Sequence, residues 1–138
     1  MARILKVWGI RDRIFESDTC EVDYLELYPN SQCSVHFHDC KFNKFIVTEG
    51  EVIIKTGFDE ILLKKGDKIT VEPPLVHQFI TLDLPAKMIE IAYVKEGRVL
   101  EDDINRAVQG GRTIDDKFYT LEEMQDKHMI DMMGDLSK

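Results

Sequence analysis

Several features that mark particular protein functions are scarce in this chain of 138 residues. No apolar run approaches the ~20 residues that a transmembrane helix needs, and the N-terminus lacks the apolar segment and cleavage site of a signal peptide. Acidic residues outnumber basic ones by 26 to 18, and no basic run is longer than Lys64-Lys65. Nucleic acids and anionic membranes are bound by clustered Lys and Arg. We therefore expect a cytoplasmic protein that binds neither nucleic acid nor membranes.

Cysteine is also sparse. The chain has three thiols, at Cys20, Cys33 and Cys40. Their odd number and irregular spacing fit neither a disulfide framework nor a zinc ribbon. We expect all three to be reduced.

The residues that are present predict one all-β domain. Apolar residues make up 43% of the chain and charged residues 32%, which is typical of a soluble globular domain. Short segments rich in Val, Ile, Leu and Tyr alternate with Gly or Pro turns from residue 3 to residue 94, a pattern that favours a barrel or sandwich. Two of these segments, 45–48 and 52–56, flank Gly50 and predict a hairpin.

The C-terminal part has a different pattern. Thr120 and Glu123 have the spacing of a capping box at a helix N-terminus. Apolar or aromatic residues then recur at three- and four-residue steps, which predicts an amphipathic helix: Leu121, Met124, His128, Met132 and Leu136. We divide the chain into a β domain, residues 1–115, and a helical extension, residues 116–138. The apolar face of this helix is expected to dock on its own chain or on a second copy.

Three histidines are the strongest chemical signal in the sequence. His36 and His38 lie two residues apart in a segment with strand preferences, so their side chains point to the same face. His77 follows Pro73-Pro74 in a turn that leads into another strand. Three neutral imidazoles with an open position can hold a divalent cation that polarises an oxygen or activates water. The alternative is that these histidines are simply polar residues on a strand face.

The spacing around these histidines resembles that of the cupins. The chain reads His36-x-His38-x4-Asn43-x6-Gly50, followed by Gly66-x10-His77. Asn43 stands where the cupin motif has a glutamate ligand, Pro74 replaces a glycine and Thr81 replaces an asparagine. The resemblance implies a double-stranded β-helix, or jelly-roll barrel, with a metal held by His36, His38, Asn43 and His77.

Segments outside these motifs resemble the cupin domain of type II mannose-6-phosphate isomerases. Trp8-Gly9, the run 99–106 and Gly111-Arg112 are similar to segments of that domain. His36 takes the position of a glutamine in that pattern, and Cys40 takes the position of its second histidine. The resemblance spans most of residues 7–112.

This resemblance implies a metal-dependent sugar-phosphate isomerase or epimerase. The expected cofactor is a divalent metal ion, zinc first, with iron, manganese or nickel as alternatives. Lys41 and Arg112 are the predicted catalytic residues, and Arg106 and Gln78 are the predicted substrate-binding residues. The cations can instead form surface salt bridges with the acidic run 101–103.

Two other functions stay open. The first is a cupin that binds a sugar or another small ligand without turnover. The second is an iron-dependent oxygenase, because three histidines also suit Fe²⁺. In each case the expected partner is a small molecule, and we expect a homodimer.

Overall fold

The computed structural model describes residues 3–100, 102–120 and 123. These residues form fourteen β-strands, and the all-β prediction is confirmed. The strands are β1 Arg3–Lys6, β2 Gly9–Glu16, β3 Cys20–Leu27, β4 Ser31–Gln32, β5 Val35–Phe37, β6 Phe42–Glu49, β7 Glu51–Thr56, β8 Glu60–Lys64, β9 Lys68–Val71, β10 His77–Thr81, β11 Ala86–Tyr93, β12 Asn105–Val108, β13 Gly111–Ile114 and β14 Lys117–Thr120.

The strands form two antiparallel sheets. The first has the order β1-β2-β3-β11-β6-β9. The second has the order β12-β5-β10-β4-β13-β14, with β7 also paired to β10 and β8 paired to β7. Every strand pair is antiparallel, and neighbours in a sheet are often distant in sequence. This crossing between sheets brings residues from both halves of the chain to one interior.

The predicted hairpin at Gly50 is wrong. β6 pairs with β11 and β9, whereas β7 pairs with β10 and β8, so the chain changes sheets at this turn. Gly50 has a φ of 77°, and a Cβ there would lie 2.7 Å from the carbonyl oxygen of Pro85. Turn signals in a sequence locate the reversal, but they do not say which strand the next segment will pair with.

An apolar core fills one end of the interior. Strand alternation turns every second side chain inward, as the buried residues Phe45 and Val47 of β6 show. The other buried core members are Leu25, Leu27, Cys33, Val52, Ile54, Leu63, Val71, Phe79, Ala86 and Met88. Trp8 packs edge-on against Phe79, with 5.0 Å between the ring centroids. The same alternation carries polar side chains into the other end of the interior.

A network of buried charges stabilises that polar end. Arg13 on β2 lies opposite Asp23 on β3, and its Nε donates a hydrogen bond to Asp23 Oδ1. Arg13 Nη2 lies 2.9 Å from Glu21 Oε2. Arg13 is 8% exposed and Asp23 is 5% exposed. The guanidinium thus offsets two carboxylates, of which Asp23 has a second and more distant counter-ion in Arg11, 4.0 Å away.

The end of the β domain lies further along the chain than the predicted boundary at residue 115. β13 and β14 form a hairpin that continues to Thr120. The capping-box hydrogen bonds are present: Glu123 N donates to Thr120 Oγ1 at 3.2 Å, and Thr120 N donates to Glu123 Oε1 at 3.4 Å. The predicted helix that follows lies outside the described residues. Within the described part of the chain, no helix has the length and apolarity needed to cross a bilayer.

We predict that replacing Arg13 by Met lowers the free energy of unfolding by about 3 kcal/mol, because Asp23 and Glu21 would lose their buried hydrogen-bonded partner and Arg11 lies further from Asp23, at 4.0 Å. Urea unfolding followed by circular dichroism measures this change. Arg98→Met is the control, since Arg98 forms an exposed ion pair with Asp18 at 3.1 Å and such pairs contribute under ~1 kcal/mol. Equal losses in the two variants would contradict the prediction.

Candidate metal centre

The three histidines predicted as ligands converge in the structure. His36 on β5 pairs directly with His77 on β10, and His38 follows β5 on the same face. The ring centroids are 4.5 Å apart for His36 and His77, 5.1 Å for His36 and His38, and 5.2 Å for His38 and His77. One ring nitrogen from each residue lies within 4.8 Å of the others. Three separate positions in the sequence therefore form one cluster of nitrogen donors.

Each imidazole is held in a defined orientation by a backbone carbonyl. Nδ1 of His36 lies 2.8 Å from Ser34 O, and Nδ1 of His77 lies 3.1 Å from Leu75 O. Nδ1 of His38 bonds the carbonyl oxygen of Asp103. A carbonyl only accepts hydrogen bonds, so each Nδ1 carries the proton and each Nε2 keeps its lone pair.

The Nε2 atoms are the feature that fits a metal ion. Those of His38 and His77 are buried and have no hydrogen-bond partner in the described structure. Buried polar atoms without a partner are uncommon and costly. A histidine that binds a metal through one nitrogen typically donates the other N–H to a carbonyl or carboxylate. The residues present therefore fit a divalent cation held by three imidazoles.

The histidines are neutral at neutral pH. Burial, together with the adjacent imidazoles of His77 and His38, lowers the pKa of His36 to about 3. Burial likewise lowers the pKa of His77 to about 4 and lowers the pKa of His38. Neutral imidazole is the form that binds metals, so little proton release is needed for an ion to bind.

Asp103 fixes the loop that carries His38, a role that the sequence analysis missed. Its carboxylate accepts hydrogen bonds from the backbone N–H groups of Asp39, Cys40 and Lys41, at 2.7, 3.1 and 3.1 Å. Burial alone would raise the pKa of Asp103, but these three donors bring it below its usual value. The sequence placed Asp103 only in an acidic run, because its contacts are more than sixty residues away.

A cavity of about 160 Å³ lies beside the cluster. His36 and His38 line it directly, together with two of the predicted cationic residues, Lys41 and Arg106. The ring of His77 is packed against the rings of both other histidines and against Phe45, whose ring centroid is 6.1 Å from that of His77. The charged residues that share the lining are Lys6, Arg11, Arg13, Glu21, Asp23 and Glu90. The arrangement therefore combines nitrogen donors with an interior rich in charge.

Asn43 and Glu90 form a pair at the same cavity. Asn43 is 2% exposed, and its Nδ2 donates a hydrogen bond of 2.8 Å to Glu90 Oε2. Asn43 Oδ1 is buried and has no hydrogen-bond partner in the described structure. Burial, together with the nearby Asp23 carboxylate, raises the pKa of Glu90 to about 7. The sequence signal for Glu90 is a lone acidic residue within the apolar run 88–94.

Gln78 and Arg112 are not brought to the cavity, so their positions give no support to the predicted roles. Gln78 follows His77 on β10 and points to the opposite face, where its Nε2 donates to Cys33 O at 2.9 Å. Arg112 lies on β13 with its guanidinium 4.5 Å from the ring centroid of Tyr28. Neither residue is among those that line the cavity.

Solved structures with the same fold are numerous. A protein with a double-stranded β-helix domain from Klebsiella pneumoniae is 18% identical, with a TM-score of 0.61 over 74% of this chain and 86% of that chain. TT1209 from Thermus thermophilus is 24% identical, with a TM-score of 0.57 over 68% of this chain and 83% of that chain. Oxalate decarboxylase from Bacillus subtilis is 15% identical, with a TM-score of 0.64 over 77% of this chain and 30% of that chain. These likenesses confirm the cupin fold and no more.

The sequence comparisons identify the family. No curated protein matches the chain. The family model described as mannose-6-phosphate isomerase C-terminal matches residues 1–109, which include β1 to β12 and all three histidines. The predicted resemblance is thereby confirmed, and the chain belongs to the mannose-6-phosphate isomerase C-terminal family of cupin domains.

Proposed function

We propose that this protein is a metal-dependent sugar-phosphate isomerase whose metal is held by His36, His38 and His77. The observation that carries the proposal is the convergence of three carbonyl-anchored imidazoles beside a cavity that also holds cationic side chains. The family match points to the same class of substrate.

The proposed metal is zinc, with iron, manganese or nickel as alternatives, because three imidazole donors suit all of these ions. When bound, the ion polarises the carbonyl oxygen of the sugar and so acidifies the hydrogen on the neighbouring carbon. Aldose–ketose isomerisation then moves hydrogen between adjacent carbons and needs no external oxidant or reductant. The protein's part is to hold the sugar in place and to exclude water from the cavity.

The phosphate is assigned to Lys41 and Arg106. Both line the cavity, and they come from the loop after β5 and from β12. Arg106 is exposed and Lys41 is partly exposed, so an anion can reach both from solvent. Arg13, in contrast, is held by carboxylates. Charge-assisted hydrogen bonds to phosphate would fix the end of the substrate furthest from the reacting carbons.

The second candidate function is binding of a sugar phosphate without turnover. Asn43 favours it, because this neutral amide stands where the cupin motif has a glutamate ligand, so the ligand set of the motif is altered while three imidazoles can still hold a dication. Such a site attracts an anionic ligand strongly, whether or not it transforms it. Turnover, and not binding alone, distinguishes the two candidates.

We predict that zinc binds the metal-free protein and raises its melting temperature, because an ion that binds only the folded state stabilises that state. His77→Ala should abolish both the zinc binding and the shift. Isothermal titration calorimetry and thermal melts, with and without EDTA, provide the measurements. His77→Ala protein that binds zinc as tightly as the wild type would exclude this centre.

We further predict that Lys41→Ala and Arg106→Ala each raise KM for mannose 6-phosphate about tenfold or more, since a lost contact to a charged group costs ~1.5–3 kcal/mol. A coupled assay of fructose 6-phosphate formation by the zinc-loaded enzyme measures this. Lys44→Ala is the matched control, because Lys44 is the adjacent lysine on β6 and does not line the cavity.

The same experiment separates the two candidates. A wild-type protein that turns over mannose 6-phosphate supports the isomerase. A wild-type protein that is stabilised by the sugar phosphate but forms no product supports binding without turnover. A KM unchanged in both cavity variants would overturn the assignment of the phosphate to Lys41 and Arg106.

A further inference from the structure

We propose that Glu90 is a positioning residue of the metal centre: its carboxylate holds the Asn43 amide so that the carbonyl oxygen, and not the amino group, faces the metal ion. The proposal rests on the metal site of the proposed function and adds a residue that does not itself bind the ion. Its starting point is a buried amide with one end bonded and the other end free.

The two side chains meet across neighbouring strands. β11 and β6 are paired, with Ala92 opposite Asn43 and Glu90 opposite Phe45. Glu90 and Asn43 are therefore diagonal neighbours whose side chains face the same interior. Both line the cavity beside His36 and His38.

A carboxylate selects one of the two orientations of an amide. An amide nitrogen only donates hydrogen bonds and an amide oxygen only accepts them, and a carboxyl group offers an accepting oxygen to the nitrogen. Because Asn43 Nδ2 donates to Glu90 Oε2 at 2.8 Å, Asn43 Oδ1 is turned away from Glu90. Asn43 lines the cavity with His36 and His38. Its Oδ1, like the Nε2 atoms of His38 and His77, is buried and lacks a hydrogen-bond partner in the described structure.

Glu90 acts through Asn43 and is not a ligand itself. Among the described residues, the group of donors close enough to share an ion consists of the three histidines and does not include the Glu90 carboxylate. Without Glu90, the amide could rotate and present its amino group, which cannot bind a cation. Residues that orient metal ligands typically change metal affinity by ~10–100-fold when they are removed.

The test is a double-mutant cycle on zinc affinity. Glu90→Met should weaken zinc binding by ~10–100-fold, and Asn43→Ala should weaken it by a similar factor. The double variant should bind zinc no more weakly than Asn43→Ala alone, because Glu90 has nothing to orient once the amide is gone. Glu90→Gln keeps an oxygen that can accept from Asn43 Nδ2, so its affinity should stay within about threefold of the wild type.

A purely electrostatic role for Glu90 gives a different pattern. Glu90→Gln and Glu90→Met would then weaken zinc binding equally, and the loss would persist in the Asn43→Ala background. Either result overturns the proposal. Glu49→Gln is the control for loss of a carboxylate, since Glu49 pairs with Lys87 at the surface, 3.4 Å away.

Two further readouts keep the outcome decisive. Circular dichroism of the metal-free variants reports whether they fold. If Glu90→Met does not fold, the side-chain amide signals of Asn43 in ¹⁵N-labelled wild-type protein serve instead. These signals should shift on addition of zinc, and signals that do not shift overturn the proposal.

Wild-type protein that binds no zinc would defeat the proposed function as well, whereas normal zinc affinity in Glu90→Met would defeat this inference alone.

Discussion

The pairing of His36 with His77 across β5 and β10 is the constraint on which the site depends. These residues are distant in sequence, and a shift of one residue in either strand would turn one imidazole to the opposite face. The pairing is maintained by the neighbouring strands, because β10 is also bonded to β7 over five residues. Each ring is then fixed by a carbonyl of its own local segment or, for His38, of the segment before β12. The three donors thus meet within the second sheet, once β5 and β10 have paired.

The polar end of the barrel has to accommodate several charges in a confined space. Arg13 neutralises the carboxylates of Asp23 and Glu21. Glu90 is paired in register with Asp23, and its hydrogen-bond donor is a neutral amide, Asn43. Three kinds of group therefore line this interior. They are the buried ion pairs on β2 and β3, the single carboxylate of Glu90 on β11, and the neutral imidazoles on and after β5 and on β10. Arg13 is thus neutralised by acids of β3, whereas the charges of Lys41 and Arg106 act on the histidines.

The sequence was informative wherever a local pattern determines the structure. The alternation of strand residues placed His36 and His38 on one face, and motif spacing added His77 and the cupin fold. The same alternation explains why Gln78 does not line the cavity, because a residue next to an inward-facing histidine points away from it. Glu90 and Asp103 were missed for another reason. Their partners lie on strands or loops that are far away in sequence, and no local pattern gives the register that brings them together.

The contact between Asn43 and Glu90 also constrains how this centre can change during evolution. A carboxylate at position 43 would lie against the carboxylate of Glu90 at hydrogen-bonding distance, and two such groups cannot both be ionised without a large penalty. Exchange of the amide for an acid on β6 therefore requires that β11 lose its acid or that the two carboxyl groups share one proton. We therefore expect the residues at positions 43 and 90 to vary together among cupins of this family.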